Sequence, residues 1–171
     1  MQMVKKGIMF LALVWIALIV LMPKQELYFK LEQELAANDI VVSGELVDED
    51  MFGMDLEHLT VYVKGIKVAT IEEASFFTLL FYSSVSLEGV KLDSLLKRYA
   101  PEQIDSAVVT HSLLSPMRVG ISGQGVFGEA SGSVYLSDRT LNIVFEKEDA
   151  LNMIKSKLKK GEEGWIYETS F

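Results

Sequence analysis

Leu59 to Ile71 reads LTVYVKGIKVATI, and its period decides the fold. Leu59, Val61 and Val63 alternate with Thr60, Tyr62 and Lys64, the two-residue repeat of a strand with one apolar and one wet face. Gly65 turns the chain into a second run, Ile66 to Ile71, so the pair predicts an antiparallel hairpin. The same alternation recurs further along the chain. Val85 and Leu87 alternate with Ser84, Ser86 and Glu88, and Val119 and Ile121 with Arg118 and Gly120. Val134 and Leu136, then Leu141, Ile143 and Phe145, form two runs joined by a turn at Ser137-Asp138-Arg139. Short connections and alternation favour an antiparallel sheet with one solvated face over a parallel, doubly wound one.

Helical periods flank this β region. Leu27, Leu31 and Leu35 recur every fourth residue and predict a helix from Gln25 to about Ala37, ended by Asn38-Asp39. Leu151, Ile154 and Leu158 predict a second helix from about Glu148 to Lys160, with a basic last turn and Gly161 as its cap. A short strand, Trp165 to Tyr167, follows Gly164. The expected fold class is therefore α+β: a mainly antiparallel β domain with a juxtamembrane helix and a C-terminal helix.

The word juxtamembrane rests on the start of the chain. Gly7 to Met22 reads GIMFLALVWIALIVLM, without a charge, and Pro23-Lys24 ends it. As a helix this block is about 24 Å long, and the stems of Lys5 and Lys6 extend it towards a hydrocarbon core of about 30 Å. No small-x-small site follows, which favours an uncleaved anchor over a signal peptide. Gly7, Phe10, Trp15, Leu21 and Met22 mark this transmembrane helix. Lys5 and Lys6 before it place the N-terminus in the cytoplasm, with Lys24 a weak opposing vote. Residues 1–24 are thus read as cytoplasmic start and anchor, and residues 25–171 as one periplasmic domain, the protein belonging to a bacterial inner membrane. Pro23 predicts a break between anchor and next helix.

Composition narrows the partners. The chain has 171 residues, 16 Lys+Arg and 24 Asp+Glu, for a net charge of −8. Only Lys5, Lys6 and Lys24 are charged among the first 24, so residues 25–171 carry 13 bases against 24 acids, a net −11. An acidic body argues against nucleic acid. With no cysteine there is no disulfide, thiolate metal site, Cys nucleophile or lipoprotein anchor.

Each candidate for chemistry has a simpler structural reading. Gly123 to Gly128 matches GxGxxG, but the following Glu129-Ala130-Ser131-Gly132-Ser133-Val134 reads as turn and strand, whereas pyrophosphate binding needs a helix N-terminus there. His58 and His111, the chain's two histidines, lack any metal-ligand spacing. Thr110 and Ser112 flank His111, yet neighbours on a strand point to opposite faces and form no relay. Glu45, Asp48, Glu49, Asp50, Asp55 and Glu57 lack the DxDxDG spacing of calcium loops. No catalytic residue, cofactor or metal is expected. The most unusual stretch is Phe76-Phe77-Thr78-Leu79-Leu80-Phe81-Tyr82, apolar on every side. It reads either as a strand buried on both faces or as a surface for a partner or lipid, carried by Phe76, Phe77, Leu79, Leu80, Phe81 and Tyr82.

Leu56 to Ile71, LEHLTVYVKGIKVATI, followed by Ser86-Leu87-Glu88-Gly89-Val90-Lys91-Leu92, resembles the layered strand repeats of AsmA-like envelope proteins and the related type II secretion protein N. Gly125 to Leu136, GVFGEASGSVYL, is similar to the hairpins of that group. The likeness covers roughly residues 50–145. It implies a non-enzymatic β domain anchored in the inner membrane and facing the periplasm, with no catalytic residues to carry over. The expected function is an accessory or scaffold subunit of an envelope-spanning machine, a secretion system or flagellar motor, bound to other envelope-complex subunits. The alternative is a lipid-binding or lipid-transfer component.

Overall fold

The computed structural model describes residues 2–21, 24–44, 46–79, 81–96, 101, 103–148, 151, 154–161 and 164–171; the side chains of residues 2, 3, 19, 27 and 95 are not described. Met22, Pro23, Glu45 and Leu80 lie outside the described residues.

Two helices lead: α1 (Gln2–Val20) and α2 (Lys24–Ala37). The Asn38 side chain donates to the Glu34 carbonyl at 2.8 Å, and Asp39 takes a left-handed φ of 62°; together they close α2 as its Asn-Asp terminus predicts. Along α2, Leu35 is half-buried. Leu31 is exposed, and Tyr28 enters the core.

The rest is β: β1 (Ile40–Ser43), β2 (Leu46–Glu49), β3 (Gly53–Val63), β4 (Ile66–Leu79), β5 (Tyr82–Leu92), β6 (Gln103–Ser112), β7 (Arg118–Gly125), β8 (Gly128–Tyr135), β9 (Thr140–Phe145), β10 (Leu158–Lys160) and β11 (Trp165–Ser170). They form one 11-stranded sheet in the order β1-β3-β4-β5-β6-β7-β8-β9-β11-β10, with β2 also paired to β3. Every pairing is antiparallel. β1 and β2 lie end to end along one edge of β3, against Thr60–Val63 and Met54–Glu57. The break between them faces His58, which takes a left-handed φ of 60°. Gly89 in β5 has φ 62°, and the β6–β7 register shifts between Ile104 and Ser106. These irregularities fall at one level of the sheet, where bulges bend it.

Alternation sorts the side chains into two faces. One face is apolar and holds two cores. Tyr28 of α2 packs there against Met54, Leu56, Leu59 and Ala74, with Phe76 and Leu87 beside them. Leu56 is 1% exposed. At the far flank Phe127, Phe145 and Leu151 form the second cluster, with Ile154, Leu158 and Trp165 around it. The antiparallel sheet read from the sequence is present.

One expectation needs correction. Among the described residues there is no C-terminal helix: Lys155–Lys157 is a single 3-10 turn, and Leu158–Lys160 is strand β10. Leu158, Lys159 and Lys160 pair with Tyr167, Ile166 and Trp165. Leu151, Ile154 and Leu158 do share one apolar destination, but they reach it as an irregular cover and an edge strand. Their spacing alone cannot distinguish the two. Among the described residues no helix is long and apolar enough to cross a membrane. α1 includes Lys5 and Lys6, and its apolar run, Gly7 to Val20, measures about 21 Å against a hydrocarbon core of about 30 Å.

Candidate functional site

The antiparallel meander sends alternate turns to opposite ends of the sheet. Among the described residues, one end receives residues 50–52, 81, 113–117, 136–139 and Phe171. The other receives residues 64–65, 93–96, 126–127, 146–148, 154–157, Gly161 and Gly164. Lys24 Nζ lies 3.6 Å from Glu49 Oε1, and Glu49 pairs with Met54 beside the first end. α2 therefore begins at that end and finishes at the other, where Lys64 N donates to the Asp39 carbonyl at 2.8 Å. α1 comes before α2 and touches β4, so its junction with α2 lies at the first end.

α1 itself is apolar without being buried. Gly7 is exposed, Phe10 is 69% and Leu11 72% exposed, and Trp15 and Leu21 are also open. The middle of the helix is less open, at Val14, Trp15 and Ile16; Leu18 and Leu21 beyond it are again well exposed.

The segment from Phe76 to Tyr82 divides along the strand alternation. Phe76 packs against the first core. Phe77 faces the other way and meets Tyr82 across the hairpin, ring centroids 6.5 Å apart. Leu79 pairs with Tyr82 in register and is half-buried. Phe81, at the turn, is exposed.

The polar face is built from cross-strand rows. Glu57, Glu73 and Glu88 lie directly opposite one another on β3, β4 and β5, and Ser106, Gln124 and Glu129 continue the row. Nearer the first end the residues are hydroxyl-bearing: Ser75, Ser86, Ser122 and Ser131, then Ser84, Thr110 and Ser133. A trough crosses this face. It comprises a cavity of about 540 Å³ that includes Tyr82, Thr110, Arg118, Ser133 and Tyr135, and one of about 440 Å³ towards Gln124, Glu129 and Glu146. Arg118 Nε donates to the buried Ser133 Oγ at 3.0 Å, and its guanidinium lies 5.8 Å from the Tyr135 ring centroid. The trough is thus cationic at one end and anionic at the other, with hydroxyls between.

The motifs weighed from the sequence fall into structural roles. Gly125 pairs with Gly128 across a tight turn at Val126-Phe127, and Gly128 takes φ 75°. No helix follows, so the GxGxxG letters encode a hairpin whose Phe127 plugs the second core. His111 Nε2 is 3.2 Å from the Pro116 carbonyl, an interaction that ties down a turn and activates no neighbouring hydroxyl. His58 Nδ1 is 3.9 Å from Glu57 Oε2, both exposed. Among the described residues no group of three or more His, Cys, Asp or Glu side chains could hold a metal. Sequence reasoning missed the clustering of turns at one end and the carboxylate row. The first was available from counting strands between exposed apolar residues; the second needed the register. No family model, curated protein or solved structure matches this chain.

Proposed function

We propose that the protein is a non-enzymatic accessory or scaffold subunit of an envelope-spanning machine, a secretion system or flagellar motor, held in the bacterial inner membrane by α1 with residues 25–171 in the periplasm. The observation that carries this is the exposure of α1. An apolar helix with Phe10 and Leu11 about 70% open is stable in water only when something covers it, and lipid covers all sides of a helix at once. In sequence the apolar run continues to Met22, and the stems of Lys5 and Lys6 bring their ammonium groups to the headgroups. That supplies length beyond the described apolar run. The resemblance to AsmA-like proteins points to the same compartment.

A C-terminal alkaline phosphatase fusion tests the topology. It is expected to be active, with the mature protein beginning near Met1 and resisting alkaline carbonate extraction. An inactive fusion, or mature protein lacking about the first 22 residues, rules the anchor out.

Lipid handling is the second reading. It is favoured by the strip of the apolar face between the two cores, where Val109 is 40% exposed in register with Val85 and Ile121. Mass spectrometry of the protein purified in mild detergent separates the readings: co-purified subunits support the scaffold, and stoichiometric lipid supports the alternative.

A further inference from the structure

The end of the sheet at which α1 joins α2 is also where the turns are apolar. Leu114 is 82% and Phe171 66% exposed there, and Met51, Phe81, Met117 and Leu136 are open beside them. Outside the two helices, every aromatic residue exposed by more than a third lies at this end: Phe77, Phe81, Tyr82, Tyr135 and Phe171, among the described residues. The opposite end has Val63, Ile66 and Val126 exposed and no exposed aromatic among the described residues; both ends carry charged turn residues, Asp50, Asp138 and Arg139 at the first and Lys64, Asp93, Lys147 and Lys155 at the other.

The apolar turns are also joined to one another. Leu113 N donates to the Phe81 carbonyl at 2.8 Å, Leu136 N to that of Met117 at 2.9 Å, and Phe171 N to that of Arg139 at 3.0 Å. Neighbouring tips therefore move as one rim. Seven strand spacings separate β3 from β11, so at about 4.8 Å each the rim runs roughly 34 Å across the sheet.

We infer that this rim is a membrane-docking edge: the sheet stands with its strand ends on the bilayer into which α1 inserts, and the tip side chains enter the headgroup region. The inference rests on the proposed anchor. Of the possible occupants, lipid is chosen because the α1–α2 junction and the rim share one end of the domain, so an inserted α1 brings the rim to the bilayer surface. Aromatic and large aliphatic side chains suit that interface. The net −11 of residues 25–171 gives no general attraction to anionic lipid, so apolar insertion has to carry the contact.

The absence of native cysteine makes a direct test clean. Leu114→Cys, Phe171→Cys, Val126→Cys, Lys64→Cys and Phe10→Cys each give one exposed labelling site. The full chain carries a polarity-sensitive fluorophore in vesicles of three parts phosphatidylcholine to one part phosphatidylglycerol, with and without brominated acyl chains. Labels at 114 and 171 are expected to emit at shorter wavelength and lose most of their emission to bromolipid, while those at 64 and 126 do not. If 114 and 171 behave like 64 while the label at 10 is quenched, the rim inference falls and the anchor stands. If the label at 10 is not quenched either, the anchor falls and takes the rim with it. Labels at 114 and 171 that are shielded from water yet untouched by bromolipid mean that protein covers the rim, which also overturns the inference.

Discussion

Lys91 Nζ lies 2.6 Å from Glu72 Oε1 on the outside of the bulged level of the sheet. The hydrogen bond and charge of Lys91 hold the Glu72 carboxyl below the usual carboxylate range, with a smaller contribution from His58. A native pKa below the unfolded one contributes stability above the unfolded value and loses it as pH falls through the native value. Both side chains are more than half exposed, so the contribution is small. Lys91→Met is expected to raise the Glu72 midpoint towards the ordinary range in an NMR titration, with little change in melting temperature at neutral pH. Gly132 has the opposite character. A Cβ there collides with the Asn142 carbonyl and crowds Ile143 on β9, a backbone contact that cannot yield without parting β8 from β9. Gly132→Val is therefore expected to lower stability by about 2 kcal/mol in denaturant unfolding. The sequence displays this glycine but not the carbonyl facing it.

The β7–β8 hairpin shows how an element carries a role that its letters conceal. Gly125 and Gly128 frame its turn, and Phe127 meets Phe145 edge to face at 5.6 Å between centroids. Phe127→Ala is expected to cost about 3 kcal/mol, because a buried ring leaves a cavity in a small cluster; calorimetry or urea unfolding measures it. The hairpin was readable as a hairpin, since its glycines precede an alternating run. The stretch after β9 was not readable as a strand. Apolar residues at 151, 154 and 158 match a helical stripe, but Leu158–Lys160 gains more by pairing with β11, whose edge would otherwise present unpaired backbone groups. Lys159 and Lys160 then charge the outer edge of the sheet, which discourages further pairing.

At the scale of the molecule, the two helices and the sheet divide the work that the proposed function requires. α1 supplies location, and with Trp15 as the one side-chain donor in its apolar run it has little to drive specific helix association in lipid. Recognition then falls to the sheet. Replacing residues 1–24 by an unrelated transmembrane helix with a cytoplasmic N-terminus is expected to preserve assembly, measured by co-purification of subunits and by localisation to the machine. Loss of assembly with the sheet still folded makes α1 itself the recognition element.

The sequence by itself determined where strands and leading helices form, because alternation and turn residues act over a few positions. From Leu59–Ile71 and the runs like it, the antiparallel sheet was legible before any contact was known. The tertiary structure alone decided what those elements bring together. Tyr28 became a buried contact of α2, Phe76 and Phe77 parted to opposite faces, and three glutamates on separate strands came into one row. Turns more than thirty residues apart, at Phe81, Leu114 and Phe171, gathered at one end of the sheet. These depend on register and strand order, which pair residues far apart in the chain; no local period encodes them.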